Sequence, residues 1–292
     1  MTRHFEYLRP ETVDAAIDMK VDYGPQARFW AGGTDMMLLW QRRVVDFDYC
    51  IDLTYVPSLR YIEMEGSTLR IGAMATLDDL DLKSNLNSAL AALGETARLM
   101  NTKQTRTIAT VGGNLCHASP SADLTPPLIA MGTQVKLQGP EGERVIPLGD
   151  FHIGVNETAL ADNEIVKEFI VPHVSEKLAA SYNRIARTVV DIALVSSAVC
   201  LRIDDTRTIQ DAGVVLGAVG PTAIRAPDAE NVLIGVSLEE LANGTAQKAG
   251  AQASLAARAI SDIRASQEFR TDMTSVLTER SIRRCAEILG DY

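Results

Sequence analysis

The 292 residues, 46% of them hydrophobic, are enough for one large domain or two ordinary ones and too apolar for a disordered chain. With 38 acidic against 28 basic side chains the net charge is −10, which excludes the basic footprint of a nucleic-acid binder. No apolar run reaches the roughly 18 residues that suggest a bilayer span, and the first residues lack the apolar core of a signal peptide, so a cytoplasmic protein is expected.

Residues 5–8 read as a short strand. Pro10 opens a helix with Val13, Ala16, Ile17 and Val21 on one face. Gly24-Pro25 ends it, and residues 28–31 return as a strand. This βαβ unit delivers the bend Ala31-Gly32-Gly33-Thr34-Asp35. Adjacent glycines allow positive φ and remove side chains that would hold a ligand away. Thr34 and Asp35 are N-cap types for a helix opening at Met36. Free backbone N–H groups at a helix start suit a phosphate. The same pair of glycines is also the ordinary turn before a helix. The pattern is neither Gly-x-Gly-x-x-Gly nor a loop ending in Gly-Lys-Ser/Thr, so a Rossmann or Walker site is not supported. The next helix, with Met36, Met37, Leu38, Leu39 and Trp40, is expected to lie buried against a sheet, closed by Arg42-Arg43.

Residues 49–53 form another strand. Residues 59–65 and 68–74 alternate around Glu65-Gly66-Ser67 as a β-hairpin. Thr76 caps a helix through Leu80, and a second helix covers residues 87–100. Residues 101–127 are polar, small and irregular, the composition of a functional segment. They carry Gln104, Arg106, a second glycine loop at Thr110-Val111-Gly112-Gly113-Asn114, and then Asp123, which either caps the following helix or bonds a ribose hydroxyl. Both glycine loops are expected to grip one diphosphate.

Residues 135–148 read as a hairpin, 151–154 as a loop and 164–172 as a strand. Composition shifts near residue 175. A strand through residues 181–185 precedes two apolar stretches, 191–203 and 210–219, joined at Asp204-Asp205-Thr206. A helix opens at Ala226-Pro227, and residues 238–263 and 271–289 read as long helices. Cys50, Cys116, Cys200 and Cys285 are scattered, as are the histidines. Reduced, buried thiols are expected, and no zinc or iron–sulfur site wholly within this chain. No catalytic acid, base or nucleophile stands out.

Taken in this order, the motifs resemble the medium, FAD-binding subunits of the molybdenum hydroxylases: the xanthine dehydrogenase, aerobic carbon monoxide dehydrogenase and nicotine dehydrogenase group. The resemblance covers nearly the whole chain. It rests on Ala31 to Asp35 and on Gln104, Arg106, Thr110 to Asn114, Ser119, Pro120 and Asp123. It rests also on Asp191-Ile192-Ala193, Gly217-Ala218-Val219, Ile224-Arg225-Ala226, Ile263-Arg264-Ala265-Ser266 and Phe269-Arg270.

The resemblance implies an α+β chain. Residues 1–175 would be a two-subdomain FAD-binding domain of the vanillyl-alcohol-oxidase (PCMH) type, with subdomains of about 1–55 and 56–175. Residues 176–292 would be a C-terminal α+β domain with a β-sheet and packed helices. Phe29, Trp30, Ala31, Gly32, Gly33, Thr34, Asp35 and Met36 would wrap the FAD diphosphate, Asp35 capping its own helix while Thr34 faces the phosphate. Thr110, Val111, Gly112, Gly113 and Asn114 would complete the cradle, and Asp123 would hold the ribose or adjacent phosphate region. Ile165 and Val166 would pack near the flavin ring and Ile192 near its other side. Met100 stands where some relatives place an aromatic residue against the adenine, so a thioether fills the space without stacking. Asn183 and Arg184 stand where a lysine is often found near the flavin, which places Arg184 among the contacts. The four-cysteine insertion of hydroxybenzoyl-CoA reductases is missing.

By the same resemblance, molybdopterin and two iron–sulfur clusters belong to partner chains, a large and a small subunit, in a dimer of heterotrimers. This chain would pass electrons through FAD to an external acceptor. Two other readings stand beside it: a self-sufficient flavin oxidase of the vanillyl-alcohol-oxidase type, with its own base, and a non-catalytic nucleotide-binding scaffold.

Overall fold

The computed structural model describes residues 4–290. A parallel sheet opens the chain, with β1 (Glu6–Leu8) and β2 (Ala27–Trp30) on either side of β3 (Tyr49–Asp52). Between β1 and β2 runs α1 (Val13–Tyr23). It starts after Thr12, whose hydroxyl accepts from the Ala15 amide at 3.1 Å, and not at Pro10. Val21, placed on the inner face by periodicity, is 53% exposed, and Lys20 lies inside at 2%. Lys20 Nζ can be buried because it donates to the carbonyls of Gly24 (2.9 Å) and Ala27 (2.8 Å) and pairs with Asp162 (2.8 Å). The helix α2 (Met36–Gln41) corrects a second expectation, since none of its residues is buried. It is short, Trp40 meets Phe5 edge-on, and Met36 and Leu39 face an open cleft instead of a sheet.

The hairpin of β4 (Ile62–Glu65) and β5 (Thr68–Gly72) turns at Gly66, whose φ is 61°. Then come α3 (Leu77–Leu82), α4 (Ser88–Leu99), α5 (Lys103–Arg106), α6 (Val111–His117) and α7 (Thr125–Ala130). Thr76 and Asp79 make a capping box on α3, and Asn87 caps α4. Residues 101–127 are therefore more helical than their composition suggests. Thr102 and Thr110 cap α5 and α6, helices too short for apolar periodicity to register. The chain continues through β6 (Gln134–Gly139), β7 (Gly142–Pro147), α8 (Leu148–Phe151), β8 (His152–Gly154), β9 (Glu157–Thr158) and β10 (Ile165–Val171). The small β8–β9 pair replaces the expected loop. The antiparallel sheet has the order β4-β5-β10-β6-β7.

A second antiparallel sheet follows, β11 (Leu178–Ile185), β12 (Val195–Ile203), β13 (Ile209–Gly217) and β14 (Ile224–Arg225), in that order. Residues 191–194 stay outside β12, and Arg270 takes the Leu194 carbonyl at 2.7 Å. Next come α9 (Pro227–Leu233), α10 (Leu238–Glu240), α11 (Ala246–Ala256) and α12 (Gln267–Gly290). The single helix expected over 238–263 is interrupted at Gly244, with φ 94°, and ends at Ala256. One face of this sheet packs on α12 and α9, with α11 laid against those two helices, and Val199, Val214, Ala249, Leu277 and Ile282 share this core. The opposite face packs on α4 and α7, so Tyr182, Ala198 and Val215 share a core with Leu93 and Leu128. Gly213 lets the Ala130 carbonyl touch β13: a Cβ there would lie 2.1 Å from that oxygen. Among the described residues no helix is long and apolar enough to cross a membrane.

The middle of the five-stranded sheet carries a buried charge. Glu168 on β10 is 2% exposed. It accepts from Arg70 at 2.8 and 2.6 Å and from Tyr61 at 2.7 Å, and Lys136 Nζ lies 3.0 Å away. Burial alone pushes its carboxyl up, but these donors outweigh burial and hold it at about 2. A carboxylate lowered from 4.5 to about 2 contributes on the order of 3 kcal/mol above pH 5, lost as the pH falls from 4.5 toward 2. Glu168→Gln should therefore lower the unfolding free energy at pH 7 and lose most of that deficit by pH 3. Urea melts of both proteins at the two pH values test this, and a deficit that does not change with pH would refute it.

Candidate functional site

The two glycine segments, remote in the chain, meet. A Cβ on Gly32 would lie 1.9 Å from the Ile108 carbonyl oxygen and 3.1 Å from Ala109 Cα, and one on Gly113 would lie 3.7 Å from Ala31 Cβ. Together they line a cleft of about 560 Å³ between the parallel sheet and the five-stranded sheet. Of the residues singled out in the sequence, Phe29, Ala31, Gly32, Gly33, Thr34, Asp35, Met36, Met100, Thr110, Gly112, Gly113, Asn114, Ile165 and Val166 line it.

Five others do not. Trp30 packs beneath the first bend, where a Cβ on Gly33 would lie 2.2 Å from its ring. Val111 is fully buried in the core. Asp123 neither caps α7 nor reaches the cleft. It accepts from Arg184 Nη1 at 2.8 Å and from the Tyr182 hydroxyl. Burial raises the Asp123 carboxyl while Arg184 and Tyr182 pull it down, and burial beside Asp123 pushes the Tyr182 phenol well up. The Arg184 guanidinium is committed to this pair and to carbonyls. Ile192 sits on a loop, 44% exposed.

The two segments differ in their backbone donors. The amides of Ala31 to Met36 make no hydrogen bond among the described residues. In the second segment Val111 N donates to Ala75 O at 2.9 Å, Gly112 N to Ala73 O at 2.8 Å and Gly113 N to Thr110 Oγ1 at 3.0 Å. Its amides are therefore spoken for, contrary to the expectation of two equal arms. Gly112 serves packing, since a Cβ there would lie 2.6 Å from Ala73 O. Asp35 also departs from expectation. Its φ of −98° and ψ of −45° are already helical, it makes no side-chain cap, and its carboxylate lies 4.0 Å from His117 Nε2 across the cleft. Asn114 contributes a buried Oδ1 with no partner among the described residues.

Sequence reasoning missed several cleft residues. Lys20, Arg28 and Asp162 close one end, and Cys116, His117, Asn156, Thr158 and Leu160 lie along the wall. A lysine on the apolar face of α1 was the one available signal. Burial raises the Cys116 thiol to about 12, so it is no nucleophile near neutral pH. Among the described residues no group of three or more His, Cys, Asp or Glu could hold a metal ion.

Residues 3–174 match the family model described as the FAD binding domain in molybdopterin dehydrogenase, and residues 180–285 match the CO dehydrogenase flavoprotein C-terminal domain. The carbon monoxide dehydrogenase medium chain of Hydrogenophaga pseudoflava is 30% identical, over 97% of this chain and 98% of that one. The xanthine dehydrogenase FAD-binding subunit of Escherichia coli O157:H7 is 28% identical, over 97% of each chain. A structure of the Hydrogenophaga pseudoflava carbon monoxide dehydrogenase, lacking the Mo-pyranopterin moiety of its cofactor, superimposes with a TM-score of 0.91 at 29% identity, covering 99% of each chain. The α+β fold expected from the motifs is thus shared with that enzyme. In fold, motif order and chain-long similarity, this protein belongs to the FAD-binding, medium-subunit family of the molybdenum hydroxylases.

Proposed function

We propose that the chain is the FAD-binding electron-transfer subunit of a heteromeric molybdenum hydroxylase. In this reading it takes electrons from two iron–sulfur clusters of a small partner subunit and passes them to an external acceptor. Substrate hydroxylation belongs to a large molybdopterin-binding subunit. The observation that carries the reading is the junction of the two glycine segments along one cleft, with a run of unpaired amides on the first.

The residues present fit FAD. The amides of Ala31 to Met36 suit a diphosphate, and Gly33, at φ 70°, lets the bend curve toward it. Because α2 has only six residues, fixed amides rather than a long helix dipole would carry the binding. The orphaned Asn114 Oδ1 suits a hydroxyl donor. Phe29, Met100, Ile165 and Val166 would pack against the ring systems and exclude water. FAD supplies the redox chemistry once bound, and the protein sets its position and surroundings. Thr110 to Gly113 would support the first bend more than bind, and Asp123, Arg184 and Ile192 would act from outside the cleft. Relatives named as medium chains and FAD-binding subunits support a place in a multi-subunit complex. The dimer of heterotrimers, the cytoplasmic location and the division at about residue 175 belong to the same proposal. A self-sufficient oxidase would need a base in the cleft, and the His117–Asp35 pair at 4.0 Å is the arrangement it would use.

The purified chain should be yellow, carry one FAD and contain neither iron nor molybdenum. Stoichiometric iron on metal analysis, or a colourless protein that ignores added FAD, would overturn the reading. Substrate turnover by the chain alone would favour the oxidase. Gly33→Asp should abolish flavin binding and Gly33→Ala should weaken it at least about tenfold, because any Cβ meets Trp30 at a positive φ. Flavin titration of folded variants checks this, and a full flavin complement in Gly33→Asp would show the loop assignment to be wrong.

A further inference from the structure

Met100 and Asn101 form one wall of the cleft, at the C-terminal end of α4. Carbonyl groups there have no helical partners. Three in succession are taken up by guanidinium groups. Arg106 Nη1 donates to Met100 O and Asn101 O, each at 3.1 Å, and Arg184 Nη2 donates to Leu99 O. The turn is tight, with Asn101 at φ 48° in the left-handed region. Arg106 comes from α5, the next helix in the chain. Arg184 comes from β11, in the other half of the molecule.

The remaining bonds of Arg184 reach two further segments. Nη1 donates to Asp123 Oδ2 at 2.8 Å, and Nη2 donates to Val189 O at 3.1 Å. The side chains of Arg184 and Asp123 are 6% and 8% exposed, and neither lines the cleft. The loop that Arg184 holds is anchored at its far end by the buried Ala193 and Leu194, but around Val189 it has little apolar anchorage, with Val189 80%, Val190 51% and Ile192 44% exposed.

We propose that Arg184 is a positioning residue for the FAD cleft, fastening the Leu99 carbonyl, which adjoins the wall residue Met100, and the Val189 carbonyl of the 186–194 loop to the buried Asp123 carboxylate. The inference rests on the FAD reading above for its consequence, not for its geometry. A planar fork can meet three acceptors in fixed directions, and a lysine ammonium cannot span the same set. With the fork removed, the turn and the loop lose their common anchor. Flavin binding must then re-order both, which weakens it without removing any contact to the cofactor.

The test uses the full-length chain. Arg184→Lys, Asp123→Asn and Arg106→Lys are purified without flavin and checked for folding by far-UV circular dichroism. Amide hydrogen exchange is followed in peptides covering 98–101 and 186–194. Each protein is then titrated with FAD, and the visible circular dichroism of bound flavin is recorded. Arg184→Lys should speed exchange in both segments together, raise the FAD Kd about tenfold or more and alter the visible band. Asp123→Asn should act the same way more weakly. Arg106→Lys should loosen 98–101 alone. Wild-type exchange in both segments of Arg184→Lys, or loosening confined to 186–194, overturns the proposal, as does faster exchange with an unchanged Kd and spectrum. If Arg184→Lys does not fold, Asp123→Asn decides by the same readouts. A wild-type chain that fails to bind FAD sinks the cofactor reading, while the exchange data still decide what Arg184 holds.

Discussion

Backbone contact between residues 32 and 108–109 closes the cleft, and it exists only because position 32 has no side chain. The parallel sheet ends in the first bend, and the five-stranded unit presents the Ile108 carbonyl to it. Any Cβ at Gly32 would fall inside that oxygen's contact distance, so the two units would part and the cleft would open. Gly112 plays the equivalent part behind the wall, letting α6 sit on Ala73. These glycines serve packing before they serve a ligand. Gly33 differs: its φ of 70° sets the curvature of the bend itself.

An acidic chain that holds a diphosphate needs positive potential from something other than net charge. The cationic side chains at the cleft are largely engaged. Lys20 is tied to two carbonyls and Asp162, and Arg28 also leans on Asp162 at 3.3 Å. The unpaired amides of Ala31 to Met36 are fixed dipoles that need no reorganisation and add no net charge. Because the amides of the second segment are spent on Ala75, Ala73 and Thr110, the proposed cradle would have one binding arm and one buttress.

The C-terminal sheet is not a lobe hung on the end. One of its faces completes the core around α4 and α7, the helices that flank the polar stretch with the second glycine segment. This shared core explains how a residue on β11 can reach the Leu99 carbonyl, next to the cleft wall. It also explains the buried pair of Asp123 and Arg184, two charges whose cost of desolvation is met only when both halves are in place.

Local chemistry settled much of this molecule in advance. Gly66 at a hairpin turn, Thr76 and Asn87 at helix starts, and the alternation of the sheet strands act through neighbours a few residues away, so they are legible in one dimension. The motif order was enough to identify the family. The destinations of polar groups were not legible. Asp123 could as well have been a cap, Lys20 broke the pattern of its helix, Asp35 turned from its own amides toward His117, and the apolar α2 stayed uncovered. In each case the partner, or the empty space, is supplied by residues far along the chain. Satisfying a buried charge or amide is a property of the packed molecule, and only packing brings those residues within hydrogen-bonding distance.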